Sequence, residues 1–305
     1  MVDVVQTPAF LARQTDLVVA MLRQAHGDTL RVEVRAQETE GDHSQAANVP
    51  LQSVAGRGVF VKDLEAGLLS GAFDLVVHSL KDITTDLADG LLIAAVPERA
   101  DVRDVLVSPA GRTLADLPAG TRVGTSSPRR AAQLAAVRPD LAFVPIRGNV
   151  DTRIRKADSG EYDAVVLAAA GLDRLGLSGR ITEHFDAATC MPDPGQGALA
   201  IEVRAADAAT IALLQPLNDI PTRACIEAER ALLHALGGGC QLPVGGWATV
   251  DGDRLTLRAV ACSPSGRRIL RDEAAGAMAD AAAIGQALAE RLRSEEHTSE
   301  LQSRL

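Results

Sequence analysis

An alternation of short apolar segments with amphipathic stretches, run through twice, constrains this chain more than any other feature. The sequence predicts a helix over residues 9–25, with Leu17, Val18, Met21 and Leu22 on one face. Arg31–Gln37 alternates apolar and polar residues and predicts a half-buried strand. An amphipathic helix over 59–70 follows, then a buried strand over Asp74–His78 and another over Leu91–Val96. Residues 98–104 (ERADVRD) form a charged break, beyond which the pattern restarts. Strands are expected at Val105–Ser108, Arg122–Thr125, Ala142–Ile146 and Asp163–Ala168, with helices at 128–137 and 149–157. Strands alternating with helices predict α/β architecture.

The run MPDPGQG at 191–197 is rich in helix and strand breakers, and Ala198–Val203 reads as a strand returning to the first domain. Two crossings, at 98–104 and 191–197, predict a two-lobed body with a hinge and a cleft, a preferred kind of ligand site. From about residue 220 the character changes. A helix over 222–236, strands at Gly246–Val250 and Arg254–Cys262 and a helix over 278–292 predict a small α+β domain. The expected division is 1–98 with 198–217, then 99–197, then 218–292. Residues 293–305 (RSEEHTSELQSRL) are polar, end an amphipathic helix abruptly and match a translated sequencing adapter, so they are expected to be a non-native tail.

Hydrophobic residues make up 47% of the chain and aromatic ones only 2%, so the cores must be Ala, Val, Leu and Ile. A net charge of −9 argues against nucleic-acid binding by the whole surface. No run of 18 apolar residues and no basic-then-apolar leader appears, so no membrane association is expected and the cytoplasm is the expected compartment. Cys190, Cys225, Cys240 and Cys262 form no CxxC pair and have no histidine at zinc spacing, so no metal is expected.

Five motifs carry possible chemistry. HSLKD at 78–82 puts Ser79, Lys81 and Asp82 at the carboxyl end of a strand, where ligand groups gather in open α/β sheets. Alone, it reads more readily as a solvated turn. VGTSSPRR at 123–130 ends a strand and starts a helix. Ser127 suits the cap, Pro128 the first helical position, and free N–H groups there bind anions. Thr125 and Ser126 add hydroxyls, and Arg129 and Arg130 add forked donors suited to carboxylates. RGNVDTR at 147–153 repeats the strand-to-helix turn with Arg147 and Arg153. From Arg122 to Lys156 eight basic residues face two acidic ones, which suits a small polyanionic ligand, the solvated basic face being less attractive with three strand-to-helix turns of this kind in one chain. GGGCQLPVG at 237–245 sets Cys240 on a glycine loop, where a thiol is accessible, while the other three cysteines suit core packing. GRGVFVKDLE at 56–65, containing Phe60, is a glycine-rich loop without the ending of a phosphate-binding P-loop.

In this order and spacing, the motifs resemble those of the hydroxymethylbilane synthase (porphobilinogen deaminase) family, together with EYDAVVLAAAGLDRLGL at 161–177 and GQGALAIE at 195–202. The resemblance covers about residues 9–292. It implies two lobes like those of periplasmic binding proteins plus a small third domain, and a monomeric transferase of porphyrin and haem biosynthesis. Such an enzyme joins four porphobilinogen molecules into a linear tetrapyrrole and releases ammonia. The resemblance further implies a dipyrromethane cofactor bound through a thioether to Cys240, with Asp82 as the key acid. Ser79, Lys81, Thr125, Ser126, Ser127, Arg129, Arg130 and Arg153 fall on cofactor-binding positions. Arg147, Arg153, Arg174 and Phe60 fall on substrate-binding ones. A two-lobed anion-binding sensor without catalysis is the competing reading, though the Cys240 loop and the third domain do not fit it.

The chain departs from the family pattern at its start. The usual strand and loop R-I-G-T-R-x-S is replaced by MVDVVQTP, without its arginine and serine, and the family's two lysines near GxG become Ser53 and Arg57. The first strand is therefore expected to be damaged, part of the first core exposed, and turnover weak or absent.

Overall fold

The computed structural model describes residues 2–6, 12–27, 30–36, 59–237, 243–263 and 266–296. Its strands are β1 (Val2–Gln6), β2 (Val32–Ala36), β3 (Leu75–Ser79), β4 (Leu91–Ala95), β5 (Asp104–Val107), β6 (Arg122–Gly124), β7 (Ala142–Val144), β8 (Ala164–Ala168), β9 (Glu183–His184), β10 (Leu199–Arg204), β11 (Val244–Asp251), β12 (Arg254–Cys262) and β13 (Ile269–Ala277). The helices are α1 (Ala12–His26), α2 (Val59–Ser70), α3 (Pro128–Val137), α4 (Val150–Asp158), α5 (Ala169–Arg174), α6 (Ala208–Leu214), α7 (Ile220–Ala235) and α8 (Ala281–Glu296). No helix among the described residues is long and apolar enough to cross a membrane.

Two compact units are present, one formed by 1–99 with 198–223, the other by 100–197 with 224–305. The first holds a sheet of order β2-β1-β3-β10-β4, in which β1 runs parallel to β2 and β3 while β10 runs antiparallel to β3 and β4. Alternation along β3 splits its side chains between two faces. Leu75 and Val77 pack with Val18 and Leu22 of α1, while Val76 joins Leu64 and Leu68 of α2. The expectation of a damaged first strand is corrected here. β1 lies inside the sheet, and Val2 and Val4 are buried in the α1-side core. The strand needs alternating apolar residues rather than the family's loop motif, and Val2 and Val4 supply them.

The second unit contains two sheets. One has the order β7-β6-β8-β5-β9, with β6 parallel to β7 and β8, and β5 antiparallel to β8 and β9. This is the layout of the first unit's sheet. In both, the strand that follows a crossing of the chain, β10 or β5, takes the fourth place and runs against its neighbours.

The other sheet is the meander β11-β12-β13, whose core joins Leu255 and Leu257 to Leu232 of α7 and Leu288 and Leu292 of α8. Here the sequence predicts two strands and the structure has three. The third, β13, follows Ile269 and Leu270 with charged and small residues, and none of its positions is fully buried, so its alternation is hard to read. Helix α7 starts two residues before the predicted 222, because the Asp219 carboxylate accepts from the Thr222 N–H (2.8 Å) and Pro221 is tolerated in a first turn. Helix α8 runs to Glu296, past the predicted end at 292.

Candidate functional site

The HSLKD motif lies where the sequence puts it, at the carboxyl end of β3. Ser79 ends the strand, and a single 3₁₀ turn, Leu80–Asp82, follows. Buried Leu80 anchors the turn, and its N–H donates to the carbonyl of Ala198 (3.1 Å). Lys81 is half-buried and Asp82 exposed. Among the described residues the Asp82 carboxylate has no hydrogen-bond or ion-pair partner, which leaves it available to a ligand.

Ser79 is buried, and its hydroxyl accepts from Gln14 Nε2 of α1 (2.8 Å). The sequence reading missed Gln14. A signal existed: Gln14, Val18 and Leu22 are spaced i, i+4, i+8, which puts an amide on the apolar stripe of α1. On the α2 face of the same sheet, His78 Nε2 lies 2.8 Å from the buried Glu202 carboxylate. Glu65 of α2 has its carboxyl raised by burial and then by the charge of Glu202.

In the second unit the parallel strands β7, β6 and β8 all lead at their carboxyl ends into helices. After β6, Ser127 caps α3 by accepting from the Arg130 N–H (3.4 Å), with Pro128 as the first helical residue, as the sequence predicts. The Ser126 hydroxyl donates to the Ile146 carbonyl (2.6 Å) and accepts from the Ile146 N–H (2.9 Å), so it ties the exits of β6 and β7 together. Thr125 Oγ1 accepts from the Ser127 N–H (3.2 Å). After β7 come Arg147, Gly148 and Asn149, whose side chain caps α4 through the Thr152 N–H (3.1 Å). Gly148 has φ 108°, and an added Cβ would lie 2.5 Å from the Thr152 methyl. Only glycine fits there. Arg153 Nε donates to the Gly148 carbonyl (2.7 Å), and Arg174, ending α5, donates to the Gly197 carbonyl (2.7 Å). Arg147, Arg153 and Arg174 are all partly exposed.

Arg129 and Arg130 are placed differently. Both are buried, 3% and 6% exposed, and both bind Asp104 at the start of β5. The sequence reading gave these guanidiniums to ligand carboxylates, and it missed Asp104, a protein carboxylate that engages both. Arg129 reaches Asp104 Oδ2 at 2.6 Å, and Arg130 reaches Oδ1 at 2.6 Å. Gln196 Nε2 adds a donor to Oδ1 (2.8 Å) and another to the Val102 carbonyl (2.7 Å). Burial alone would raise the Asp104 carboxyl, but the two guanidiniums hold it well below the usual carboxylate range. The negative charge of Asp193 also acts on Arg129, and among the described residues Arg129 Nε is buried without a partner. The Cys190 thiol points to Asp104 (3.4 Å), and burial followed by that charge pushes it up. Cys190, Cys225 and Cys262 are all buried, as expected for core residues. Cys240, Ser53 and Arg57 lie outside the described residues, as does the side chain of Phe60. No metal-binding cluster of histidine, cysteine and carboxylate side chains occurs among the described residues.

Sequence comparison adds to this geometry. Residues 9–212 match the family described as "Porphobilinogen deaminase, dipyromethane cofactor binding domain", and residues 223–294 match its C-terminal domain. The chain is 50% identical over 284 residues to the porphobilinogen deaminase of Acidothermus cellulolyticus, covering 92% of this chain and 84% of that protein. It is 50% identical over 263 residues to that of Chromobacterium violaceum, covering 86% and 84%. With that of Thiobacillus denitrificans it shares 46% over 279 residues, covering 92% and 90%. Among solved structures it is similar to the methionine-binding protein MetQ, at 12% identity and a TM-score of 0.43 over 71% of this chain and 89% of that one.

Proposed function

The chain belongs to the porphobilinogen deaminase family, and from that premise we propose that it is a hydroxymethylbilane synthase whose working carboxylate is Asp82. It joins four porphobilinogen molecules into a linear tetrapyrrole and releases ammonia at each addition.

The family's dipyrromethane is held through a thioether to Cys240. Each of its rings carries two carboxylates, and the described residues fit such a group. Partly exposed Arg147, Arg153 and Arg174 belong to the turns and helix that follow the parallel strands of one sheet. The capped starts of α3 and α4 add N–H groups. When bound, the dipyrromethane supplies the pyrrole carbon at which the chain is extended.

Asp82 does the protein's part at the reacting ring. Loss of ammonia from the aminomethyl group of porphobilinogen leaves positive charge spread over its pyrrole. A carboxylate that accepts the pyrrole N–H stabilises that charge, and it is placed to take up a proton as aromaticity returns. Lys81 and Ser79 bind carboxylates beside it, and Phe60 falls on a substrate-binding position of the family. The observation that carries this reading is the Asp82 carboxylate itself, exposed and, among the described residues, without a partner at the end of a parallel strand, in a chain that matches the family over most of its length.

Intact-mass measurement with an ammonia-release assay tests the proposal. The purified protein should carry a dipyrromethane-sized adduct that Cys240→Ser removes. Asp82→Asn should keep the adduct and lose about 10²–10⁴-fold in turnover. An unmodified mass, or near-normal turnover in D82N, would overturn the assignment.

A further inference from the structure

We infer that Gln14 is a positioning residue. Its buried amide occupies the accepting side of the Ser79 hydroxyl, so that Ser79 donates its proton to a carboxylate of the pyrrole held at Asp82. The inference deepens the proposed function and rests on it.

A serine hydroxyl has one proton to give and lone pairs to receive with. Here Gln14 Nε2 donates to Ser79 Oγ at 2.8 Å, and Gln14 is fully buried. Ser79 stands at the cap position of the 3₁₀ turn but makes no capping bond with its side chain. Among the described residues, the Ser79 proton has no acceptor. Ser79 lies two residues before Lys81 and three before Asp82. The group therefore presents a hydroxyl donor, a cation and a carboxylate acceptor, which matches a ring carrying a carboxylate and an N–H.

The other end of Gln14 points to the same role. Among the described residues, its buried Oε1 has no partner. Gln14 is on the apolar stripe of α1, where leucine or methionine would fill the space without leaving a carbonyl unsatisfied. Packing alone does not account for an amide there. A glutamate in its place would only accept, would take the Ser79 proton, and would turn the hydroxyl away from a ligand carboxylate.

The test uses the full chain with its cofactor and compares Gln14→Leu, Ser79→Ala, the double variant and Gln14→Glu. The readouts are kcat/KM for porphobilinogen and Tm. Gln14→Leu and Ser79→Ala should each lower kcat/KM about tenfold, the usual loss for one hydrogen bond to a charged group. The double variant should be no worse than Ser79→Ala, because both changes remove the same bond. Gln14→Glu, if it folds, should lose at least as much as Gln14→Leu. The inference fails if Gln14→Leu lowers Tm but leaves kcat/KM unchanged, or if its loss multiplies with that of Ser79→Ala. Full turnover in Asp82→Asn would instead bring down the proposed function, so the two failures are distinguishable.

Discussion

Asp104 begins β5 with its carboxylate out of contact with water, and two guanidiniums make that burial tolerable. Replacing it with asparagine leaves two buried cations without their counter-charge, which typically costs about 3–5 kcal/mol. Urea unfolding of Asp104→Asn should show a loss of that size, and a loss below about 1 kcal/mol would mean the arginines are held by something else. The pH dependence has a definite sign. The folded carboxyl lies below its unfolded value of about 3.9, so its stabilisation is present above that value and fades as pH falls through the folded one. The wild type should therefore lose stability in acid below about pH 4 more steeply than Asp104→Asn does. The sequence shows Arg129 and Arg130 but not this partner. Asp104 falls in what reads as a charged break, and only β5 brings it to the arginines.

Elements were legible wherever periodicity and turn chemistry agreed. Helix α3 runs over the predicted 128–137 because Ser127 caps it and Pro128 suits its first position. Helix α2 also matches its predicted span. What periodicity could not show was β13, where small and charged residues leave little contrast between faces. Nor could it tell that Val2 and Val4 suffice for β1 when the family's motif is absent. The loop between β7 and α4 combines both kinds of information. The sequence identifies RGN as a strand-to-helix turn, and the structure shows why the glycine is needed. Gly148→Ala would force a β-carbon into φ 108° and within 2.5 Å of the Thr152 methyl. Strain of this kind costs about 1–3 kcal/mol. Thermal unfolding should register it, and kcat/KM should fall as well, because Arg147 precedes this turn and Arg153 bonds to its carbonyl. An alanine variant with unchanged Tm would show that the turn relaxes freely.

At the scale of the whole molecule, two crossings of the chain generate two sheets of the same layout, each completed by a strand from beyond a crossing. The sequence marks the crossings by composition, at 98–104 and 191–197. It does not reveal that β10 pairs His78 with Ala200, because strand partners so far apart leave no local pattern. The return crossing is also held by the third sheet. Buried Glu229 of α7 accepts from the Gly195 N–H through Oε2 (2.7 Å) and from the Ala248 N–H through Oε1 (2.8 Å). The Gly246 N–H donates to the Pro192 carbonyl (2.9 Å) beside it. One carboxylate thus joins helix, crossing and strand β11. Glu229→Ala strands two buried N–H groups, each worth about 1–3 kcal/mol, so urea unfolding should show a loss of about 2–6 kcal/mol. Glu229→Gln keeps one accepting oxygen and should lose about half as much. If both variants unfold together with the wild type, the crossing is held by the backbone contacts of Pro192 and Gly246, and Glu229 is incidental to it.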